Sequence, residues 1–397
     1  MPAYSRRAFL SGCLYTAASA GCVSFVWAAS GAKLKAAIIG HTGHGNYGHE
    51  LDLIFSELPN VEVVAVADPD TSGRQKAAER SKALRQYADY REMLEKERPD
   101  LISVAPRWTD EHLAMGKAAL ESGAHVIFEK PFVQSLADGD ELLEIARRKN
   151  RKIAVAHQMR ISPAVQFLKK SLDGGLVGDL LEIRAHGKQD LRAGGEDMIV
   201  LGTHLFDLMR LFAGDANWCS ATIMDGGREV TPKDIRKPTE GIGPVLGTEV
   251  EARFGFQNGV LGSFSSRSKA REVQDHWGLQ LIGTKGVVRL LADVSPTIYL
   301  LKPGEWSDEA RTDGWYRIEG DPTLHWTKEE RAFLLANRRL AQDWLAAIRE
   351  NREPQCSGYN GMKAVEMALA VFQTGLKQSR VTLPLADRTH PLSQTTA

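Results

Sequence analysis

The sequence predicts an α/β protein in which a parallel-sheet domain is followed by a second α/β domain with an open, mostly antiparallel sheet. The chain has 397 residues, which suits about two domains of ordinary size. From residue 33 to about residue 156, short apolar runs alternate with amphipathic stretches, a rhythm typical of βαβ units. Beyond residue 157 the strand-like runs follow one another more closely, and Asn258-Gly259 between two of them indicates a hairpin.

These two rhythms predict the elements in chain order. In the first half, strands are expected at 35–40, 61–67, 101–105, 125–128 and 152–156, and helices at 50–58, 111–122 and 136–149. In the second half, strands are expected at 180–186, 248–256, 259–266, 278–282 and 287–291, and helices at 201–212, 328–350 and 361–379. We therefore expect domains at 33–156 and 157–384, followed by a loose tail at 385–397.

The charge balance argues against a polyanionic partner. Lys plus Arg and Asp plus Glu each number 50, so the formal net charge is zero. Nucleic acids and anionic membranes attract an excess of basic residues, so neither is an expected partner. The four cysteines are too few for a disulfide scaffold.

Residues 1–32 differ from the rest of the chain and predict an export signal. Their only charged residues are Arg6 and Arg7, and Ala28-Ala29-Ser30 offers small residues for cleavage. Paired arginines before a mildly apolar stretch are typical of a twin-arginine signal. An uncleaved membrane anchor and a lipid on Cys22 stay open as alternatives. We expect the processed protein in the periplasm or elsewhere outside the cytoplasm, without a stable membrane span.

A glycine-rich loop follows the first predicted strand. Gly43-His44-Gly45-Asn46-Tyr47-Gly48 matches the pattern G-x-G-x-x-G and precedes a predicted helix, and Asp68 ends the second predicted strand. Glycines in such a loop let the backbone approach a pyrophosphate, and the acid accepts hydrogen bonds from a ribose 2′-hydroxyl. The pattern therefore predicts a dinucleotide site that favours NAD, while Arg74 nearby leaves NADP open.

Two further features of this loop bear on the prediction. Gly40 already stands at the end of the first strand, where the glycine pattern usually begins, which is consistent with an insertion. His41, His44 and His49 also lie here, but a loop built for phosphate is a poor cage for a metal ion. No metal site is expected.

A charged pair follows the predicted strand at 125–128. Glu129 and Lys130 come directly after an apolar run, at the edge where open α/β sheets bind ligands. Pro131 restricts the local backbone, which favours a defined placement of the lysine over a solvated strand exit. The expected cofactor-binding residues are Gly40, Gly43, Gly45, Asn46, Gly48, Asp68, Glu129 and Lys130.

Glu129-Lys130-Pro131 downstream of the glycine loop resembles the Gfo/Idh/MocA oxidoreductases. The resemblance continues at His157-Gln158-Met159-Arg160-Ile161-Ser162-Pro163, where that family enters its second domain, and at the Gly283-Thr284-Lys285-Gly286 hairpin. It implies a Rossmann domain, an open α/β domain and a nicotinamide cofactor between them. It also implies that Lys130 contacts both the substrate hydroxyl and the cofactor.

Gly202-Thr203-His204-Leu205-Phe206-Asp207 resembles the family segment that carries the second catalytic group. The resemblance implies that His204 takes the hydroxyl proton as hydride leaves, a task suited to an imidazole. By pattern alone, His204 beside an apolar stripe indicates a core histidine. Many dehydrogenases of the family place Asp four residues earlier, where this chain has Val200, so the usual Asp–His pair is missing.

Residues 184–197, with Gly194-Gly195 near their end, are expected to form a substrate loop whose polar groups could replace the missing Asp. The expected substrate-binding residues are Arg160, Lys188, Asp190, Arg192, Asp197 and His276, with His157 and Trp277 as further candidates.

Three functions are consistent with these features. The first is an NAD(P)-dependent oxidoreductase acting on a sugar or cyclic polyol. The second is an NAD-dependent glycoside hydrolase of the same fold, which oxidises a hydroxyl transiently, eliminates the glycosidic group and reduces the ketone again. The third is a ligand-binding protein without catalysis, against which Lys130 and His204 argue.

Export affects both enzymatic readings. Free NAD is expected to be scarce outside the inner membrane, so an exported enzyme should hold its cofactor tightly and regenerate it. A homo-oligomer that pairs through the open face of the C-terminal sheet is also expected.

Overall fold

The N-terminal domain is built around a six-stranded parallel sheet. The computed structural model describes residues 33–268, 277–301, 314–318 and 332–393. The strands are β1 (Leu34–Ile39), β2 (Val61–Ala67), β3 (Arg85–Tyr87), β4 (Leu101–Val104), β5 (His125–Phe128) and β6 (Ile153–Val155). They lie in the order β3-β2-β1-β4-β5-β6, which is the order of a Rossmann sheet. All four residues of β4 are buried, as expected for a central parallel strand.

Four helices connect these strands, and their sequences explain their ends. They are α1 (Thr71–Ser81), α2 (Tyr90–Glu97), α3 (His112–Glu121) and α4 (Leu136–Lys149). In α4, the Ser135 side chain accepts from the backbone of Asp138, and the Asp138 side chain accepts from the backbone of Ser135. Three basic residues occupy the last turn of α4, and Asn150 ends it in the left-handed conformation.

The segment after the glycine loop departs from the prediction. The expected helix at 50–58 is replaced by a short 3₁₀ segment, Gly48–Leu53. His49 and Glu50 have φ angles of +46° and +60°, which are incompatible with an α-helix. The glycine loop therefore does not end on the N-terminus of a regular helix, and the expected dipole contribution to phosphate binding is much reduced.

The C-terminal domain contains a large mixed sheet with helices against it. Its elements are α5 (Pro163–Asp173), β7 (Leu180–His186), α6 (Gly195–Asp197), α7 (Thr203–Ala213), β8 (Ala216–Asp225), β9 (Arg228–Glu229), β10 (Ile235–Arg236), β11 (Val245–Leu246), β12 (Glu249–Phe256), β13 (Leu261–Arg267), β14 (Gly278–Gly283), β15 (Gly286–Leu291), β16 (Thr297–Leu301), β17 (Trp315–Ile318), α8 (Ala332–Glu350), α9 (Gly358–Lys377) and β18 (Val381–Thr382). A π-helical segment, Met198–Gly202, joins α6 to α7.

The sheet topology confirms the predicted fold class. The strands follow the order β17-β16-β15-β14-β7-β13-β12-β8-β18, with β9 beside β8. Neighbours are antiparallel except β13 and β7, which are parallel. Gly259 has a φ of +83° in the turn between β12 and β13, which confirms the hairpin predicted at Asn258-Gly259. Within the described ranges, no helix is both long and apolar enough to cross a bilayer.

Helix α8 packs against the N-terminal domain, although in sequence it lies between elements of the second domain. Its residues Leu340, Ala341 and Trp344 share a buried apolar cluster with residues of β1 and the 3₁₀ segment. The expected boundary assigned this helix to the domain at 157–384, whereas its packing assigns it to the first. Such a return of the chain cannot be inferred from strand and helix rhythms.

The segment after β18 is packed rather than loose as far as Ser393. Leu385 and Leu392 are buried, with 5% and 0% of their surface exposed. Arg388 donates to Asp140 on α4 and to Glu366 on α9. The prediction of a loose tail is therefore wrong for residues 385–393. Two leucines and one arginine anchor this segment, but they are separated by polar residues and form no periodic pattern in the sequence.

Candidate active site

The glycine loop between β1 and the 3₁₀ segment requires glycine at two positions and leaves space at a third. A Cβ atom at Gly45 would lie 2.7 Å from the backbone nitrogen of Trp108, and one at Gly48 would lie 2.4 Å from Glu129 Cγ. At Gly43, a Cβ would meet no atom within 4 Å. The loop thus packs closely against the edge of the sheet while the space beside its tip stays open.

Asp68 lies directly after β2, as predicted, but its own chain encloses its carboxylate. Thr42 donates its backbone N–H and its hydroxyl to Asp68 Oδ2 at 3.0 and 2.7 Å, and Asp70 N donates to Oδ1 at 2.9 Å. The Asp68 side chain has no exposed surface. A ribose hydroxyl would have to displace Thr42 to reach it. Arg74 donates to the Asp68 backbone carbonyl, so it too is engaged within this turn.

Tyr47 occupies the space over Gly40, where a Cβ would lie 2.0 Å from the Tyr47 Cζ. The Tyr47 hydroxyl is buried without a hydrogen-bond partner among the described residues. Burial and the nearby charge of Asp68 raise the pKa of this phenol well above its usual range. Asn46 adopts a left-handed conformation, and its side-chain oxygen accepts from Gly43 N at 2.9 Å. Gly40 and Asn46 therefore shape the loop in this conformation.

The three histidines of the loop point to three different carboxylates. His41 contacts Glu111, and His44 contacts Asp110 at 2.7 Å; both acids lie between β4 and α3. The third, His49, donates from Nδ1 to Glu129 at the end of β5. The centroids of the His41 and His44 rings lie 4.8 Å apart, and each of the three histidines contacts its own acid.

Glu129 and Lys130 are buried at the carboxyl end of β5. Glu129 accepts hydrogen bonds from His49 on one oxygen and from the backbone N–H of Lys130 on the other. Burial by itself would raise the pKa of Glu129, but His49 and Lys130 outweigh it and bring the pKa to about 2. Burial lowers the pKa of Lys130, and the charge of Glu129 opposes that shift. The pair is a desolvated carboxylate beside a desolvated amine.

The side chain of Lys130 reaches into the second domain. Its Nζ donates to the backbone carbonyl of Val200 at 3.2 Å. Val200 lies in the π-helical segment, and π-helical turns occur frequently at functional sites. At the position where Asp was expected, the chain therefore contacts the lysine through a backbone oxygen.

Around His204, three side chains carry buried nitrogen atoms without a hydrogen-bond partner among the described residues. The atoms are His204 Nδ1, His157 Nε2 and Trp277 Nε1. The His204 ring lies edge-on, with its centroid 5.3 Å from that of His157 and 6.1 Å from that of Trp277. Buried polar atoms are nearly always satisfied in folded proteins, so three orphans together indicate a ligand site.

Both imidazoles are neutral at neutral pH. Burial, together with the charge of Lys130, holds the pKa of His204 well below its usual range. Burial also lowers the pKa of His157 to about 4, although Asp207 opposes that shift. A neutral imidazole has a lone pair available, so His204 can accept a proton from a bound hydroxyl.

Arg160, expected to bind substrate, is committed to a buried ion pair. Its Nε and Nη2 donate to both carboxylate oxygens of Asp207 at 2.8–3.0 Å, and Nη2 also donates to the Asp207 carbonyl. Only 8% of its surface is exposed. The structure thus places Arg160 as a clamp between the entry to the second domain and α7, rather than as a free donor to a substrate.

Asp197 is also enclosed. One of its oxygens accepts from Ser266 Oγ at 2.6 Å and from Gln189 N at 3.2 Å, while Oδ1 is buried without a partner among the described residues. Burial raises the pKa of this carboxyl group. His276, the last of the expected substrate residues, lies outside the described residues.

Three charged residues of the expected substrate loop at 184–197 remain, namely Lys188, Asp190 and Arg192. Arg192 pairs with Asp190 at 2.6 Å and with Glu240 at 3.0 Å. Lys188 is exposed and its Nζ lies 5.7 Å from the centroid of the Trp277 ring. Of the expected substrate residues, Lys188 thus lies near Trp277, Arg192 lies close enough to influence Lys130, and Asp190 pairs with Arg192.

Sequence reasoning missed Glu240 and Arg107, two charged groups that face Lys130. Like the expected residue Arg192, both lie close enough to influence the charge of the lysine. His49 lies close enough to influence His204. Arg107 follows β4 by three residues, so the rule that ligands bind beyond the carboxyl ends of parallel strands could have found it. Glu240 has no comparable sequence signal.

The arrangement fits a dinucleotide lying across the carboxyl edge of the N-terminal sheet. The strand order, the open space at Gly43 and the orphan nitrogens of His204 and Trp277 all favour it. The enclosed carboxylate of Asp68, the Tyr47 ring over Gly40 and the lack of a regular helix after the glycine loop offer it no ready contact. The glycine loop, Glu129 and Lys130 are the residues that would hold such a cofactor.

Comparison with known proteins supports this reading. The chain matches the Gfo/Idh/MocA models for an oxidoreductase-family NAD-binding Rossmann fold at residues 34–157 and for the C-terminal alpha/beta domain at residues 187–383. D-apiose dehydrogenase of Paraburkholderia graminis is 24% identical over 376 residues, covering 92% of this chain and 94% of that protein. Levoglucosan dehydrogenase of Pseudarthrobacter phenanthrenivorans is 25% identical over 257 residues, covering 58% and 65%.

Solved structures show the same fold. Levoglucosan dehydrogenase in complex with NADH and levoglucosan matches with a TM-score of 0.72 at 21% identity, covering 89% of this chain and 100% of that one. The two family models together span most of the chain and agree with the sheet topology. This chain is therefore an NAD-binding oxidoreductase that belongs to the Gfo/Idh/MocA family.

Proposed function

We propose that this enzyme oxidises a hydroxyl-bearing carbon of a sugar or cyclic polyol, with NAD as the preferred cofactor. The observation that carries the proposal is the placement of Lys130 on the Val200 carbonyl, beside a neutral His204 whose Nδ1 has no hydrogen-bond partner among the described residues. The names of the relatives, D-apiose dehydrogenase and levoglucosan dehydrogenase, favour a carbohydrate.

The residues divide the work as follows. Lys130 donates to the substrate hydroxyl, orients it and stabilises the oxyanion that develops on it. His204 accepts the hydroxyl proton through its free lone pair. The nicotinamide, when bound, supplies the acceptor for the hydride from the same carbon. Trp277 offers an apolar ring to a sugar face and an indole N–H to a hydroxyl.

A second candidate function is redox-neutral glycoside hydrolysis. It is favoured by His157, a second neutral imidazole whose ring centroid lies 5.3 Å from that of His204. Elimination from a transiently oxidised sugar requires a base for a carbon-bound proton in addition to the base for the hydroxyl. Two adjacent neutral imidazoles could provide both.

Location and assembly are part of the same proposal. Arg6 and Arg7 support export by the twin-arginine route, and export would favour tight retention of NAD. The open face of the C-terminal sheet is the surface through which we propose that the chain forms a homo-oligomer. NADP remains the alternative cofactor, and its use can be read from the same assays.

One experiment separates the two functions. The purified protein is denatured to test for released NAD or NADP, and the native protein is then offered free sugars and glycosides. Steady NADH formation from a free sugar supports the dehydrogenase. Glycoside cleavage without net NADH supports the hydrolase and contradicts the dehydrogenase. Absence of both cofactor binding and turnover across a broad sugar panel would contradict both.

A further inference from the structure

His49 occupies an unusual position between the glycine loop and the catalytic lysine. Its Nδ1 donates to Glu129 Oε1, and Glu129 Oε2 accepts from the backbone N–H of Lys130. Glu129 has no exposed surface, so the imidazole and this amide supply its hydrogen bonds. Because a carboxylate only accepts, the His49 nitrogen that faces it must carry a proton.

The backbone around His49 is held in an unfavourable conformation. His49 and Glu50 are two consecutive residues in the left-handed region, with φ angles of +46° and +60°, and neither is glycine. Such conformations persist only where the surroundings impose them, and they cluster at functional sites. In this conformation, the His49 ring faces Glu129.

Helix α8 provides the support. Asn337 Nδ2 donates to the His49 carbonyl at 2.7 Å, and Asn337 Oδ1 accepts from Gln158 Nε2 at 2.8 Å. Asn337 has no exposed surface, and Phe333 on the same helix places its ring centroid 5.2 Å from that of His49. The helix that returns to the N-terminal domain thus fixes both the backbone and the ring of His49.

His44 offers a contrast within the same loop. It pairs with Asp110 at 2.7 Å, but 32% of the His44 side chain and 39% of the Asp110 side chain are exposed. The pair is hydrated, and neither of its members is among the groups that influence Lys130. A histidine–carboxylate pair in this loop therefore does not by itself affect the charge of Lys130. The His49 pair does so because its carboxylate belongs to Glu129, the neighbour of Lys130.

We infer that His49 is a positioning residue, which keeps Glu129 ionised and aligned and so maintains the ammonium form of Lys130. The effect of His49 on catalysis rests on the proposed function. The effect of His49 on the charge of Lys130, through Glu129, does not. The groups facing Lys130 are Glu129, Glu240, Arg192, Arg107, His157, His204 and the Val200 carbonyl. Glu129 is the acid nearest to the lysine in sequence and the one that His49 touches.

The expected direction follows from burial. Without the His49 donor, a fully buried Glu129 would take up a proton more readily, because burial favours its neutral form. Lys130 would then lose its main counter-charge, and burial would lower its pKa further. Activity that depends on the Lys130 ammonium should therefore be lost at a lower pH than in the wild type.

The first test requires no turnover. Protein without added cofactor, with ¹³C-labelled lysine side chains, is titrated by NMR, and the Lys130 signal is assigned from the Lys130→Arg spectrum. His49→Phe keeps a ring against Phe333 but removes the donor, and we expect it to lower the Lys130 pKa by about one pH unit. The control His44→Phe should leave that titration unchanged. An unchanged Lys130 titration in folded His49→Phe would overturn the inference.

The second test uses the pH profile of kcat for an accepted sugar. His49→Phe should move the alkaline limb to lower pH, whereas His49→Asn should restore part of the shift, because Asn has an amide donor and tolerates the left-handed conformation. If both variants only lower the unfolding temperature and leave the limb in place, His49 is structural and the inference fails. If no sugar is oxidised but the Lys130 titration shifts, the proposed function fails while the coupling holds.

Discussion

The Asp68 carboxylate at one end of the proposed cofactor site and the ring nitrogens at the other end differ in whether the chain supplies their hydrogen bonds. At the adenosine end, both oxygens of Asp68 accept hydrogen bonds from Thr42 and Asp70. At the reactive end, His157, His204 and Trp277 each bury a nitrogen without a partner among the described residues. A satisfied polar group adds to stability, whereas an unsatisfied one costs free energy until a ligand completes it.

The difference shows that the most recognisable sequence motif need not mark the part of the site whose side chains still lack hydrogen-bond partners. The glycine loop and Asp68 carry the most familiar pattern in the chain, yet their geometry resembles an internal network. The reactive end has no local motif beyond Glu129-Lys130-Pro131, yet its side chains need an outside partner. We expect substitutions at the reactive end to affect turnover more than stability, and substitutions at Asp68 to do the reverse.

The largest effect is expected from Lys130→Met. Loss of the cation removes both the donor to the substrate hydroxyl and the stabilisation of its oxyanion, so kcat should fall by about 10³-fold or more. Stability should also fall, because the buried Glu129 carboxylate loses its neighbouring counter-charge, so thermal unfolding must show that the variant is still folded at the assay temperature. Initial rates of NADH formation measure the change in kcat, and thermal unfolding measures the change in stability. The exposed Lys117, paired with Glu141 on the surface, provides the control Lys117→Met.

His204→Asn should lower kcat by about 10²-fold, the usual contribution of a general base. The substitution removes the proton acceptor but keeps a polar side chain in the pocket, so the KM for the sugar should change less than kcat. Steady-state kinetics over a range of sugar concentrations give both values. A selective rise in KM with unchanged kcat would assign His204 to binding alone.

The third prediction concerns stability against pH. The folded-state pKa of His157 is about 4 against an ordinary value of 6.5, so the unfolded chain binds more protons between these values. The free energy of unfolding should therefore fall as the pH drops from about 6.5 towards 4. The shift corresponds to about 3 kcal/mol, and His157→Phe should remove roughly 2 kcal/mol of the loss at about pH 4.5. Urea unfolding at several pH values tests this, and an unchanged slope would argue against a neutral buried His157.

The smallest effect on function is expected from Asp68→Ala. The Thr42 and Asp70 donors would lose their acceptor, which should reduce the free energy of unfolding by about 1–3 kcal/mol. Because the carboxylate is enclosed, the ratio of NAD to NADP affinity should change by less than about tenfold. Calorimetric titration with each cofactor measures the ratio. A larger change would show that the ribose reaches Asp68 after all, and would remove the contrast between the two ends.

Much of the fold could be predicted from the sequence. Buried parallel strands require nearly continuous apolar runs, so β2 and β5 were placed to the residue and β1 and β4 to within one residue at either end. The 3₁₀ segment was not foreseen, because the left-handed residues His49 and Glu50 are imposed by contacts with a distant helix. The short β3 was missed because its exposed residues carry no periodic signal.

The sequence pointed to individual candidate residues of the site, but it did not predict which of them are paired with one another. Lys130 and His204 were predicted from motif position and resemblance, and the structure places His204 close enough to Lys130 for the lysine to influence its pKa. Arg160 and Asp197 were expected to bind substrate, but the fold commits them to Asp207 and Ser266. A polar residue in sequence does not reveal whether its partner is another part of the chain, because that partner is brought near only by folding.

The sequence alone determined the fold class, the family resemblance, and the presence of the lysine and the histidine that we propose for hydride chemistry, because these depend on local patterns and chain order. Only the tertiary structure decided which polar groups are satisfied internally and which await a ligand. It also decided that the Val200 carbonyl contacts Lys130 and that α8 holds His49 on Glu129. These contacts join residues 70 to 288 positions apart in the sequence. Whether such distant residues meet depends on how the helices and strands pack, which the spacing of residues along the chain does not reveal.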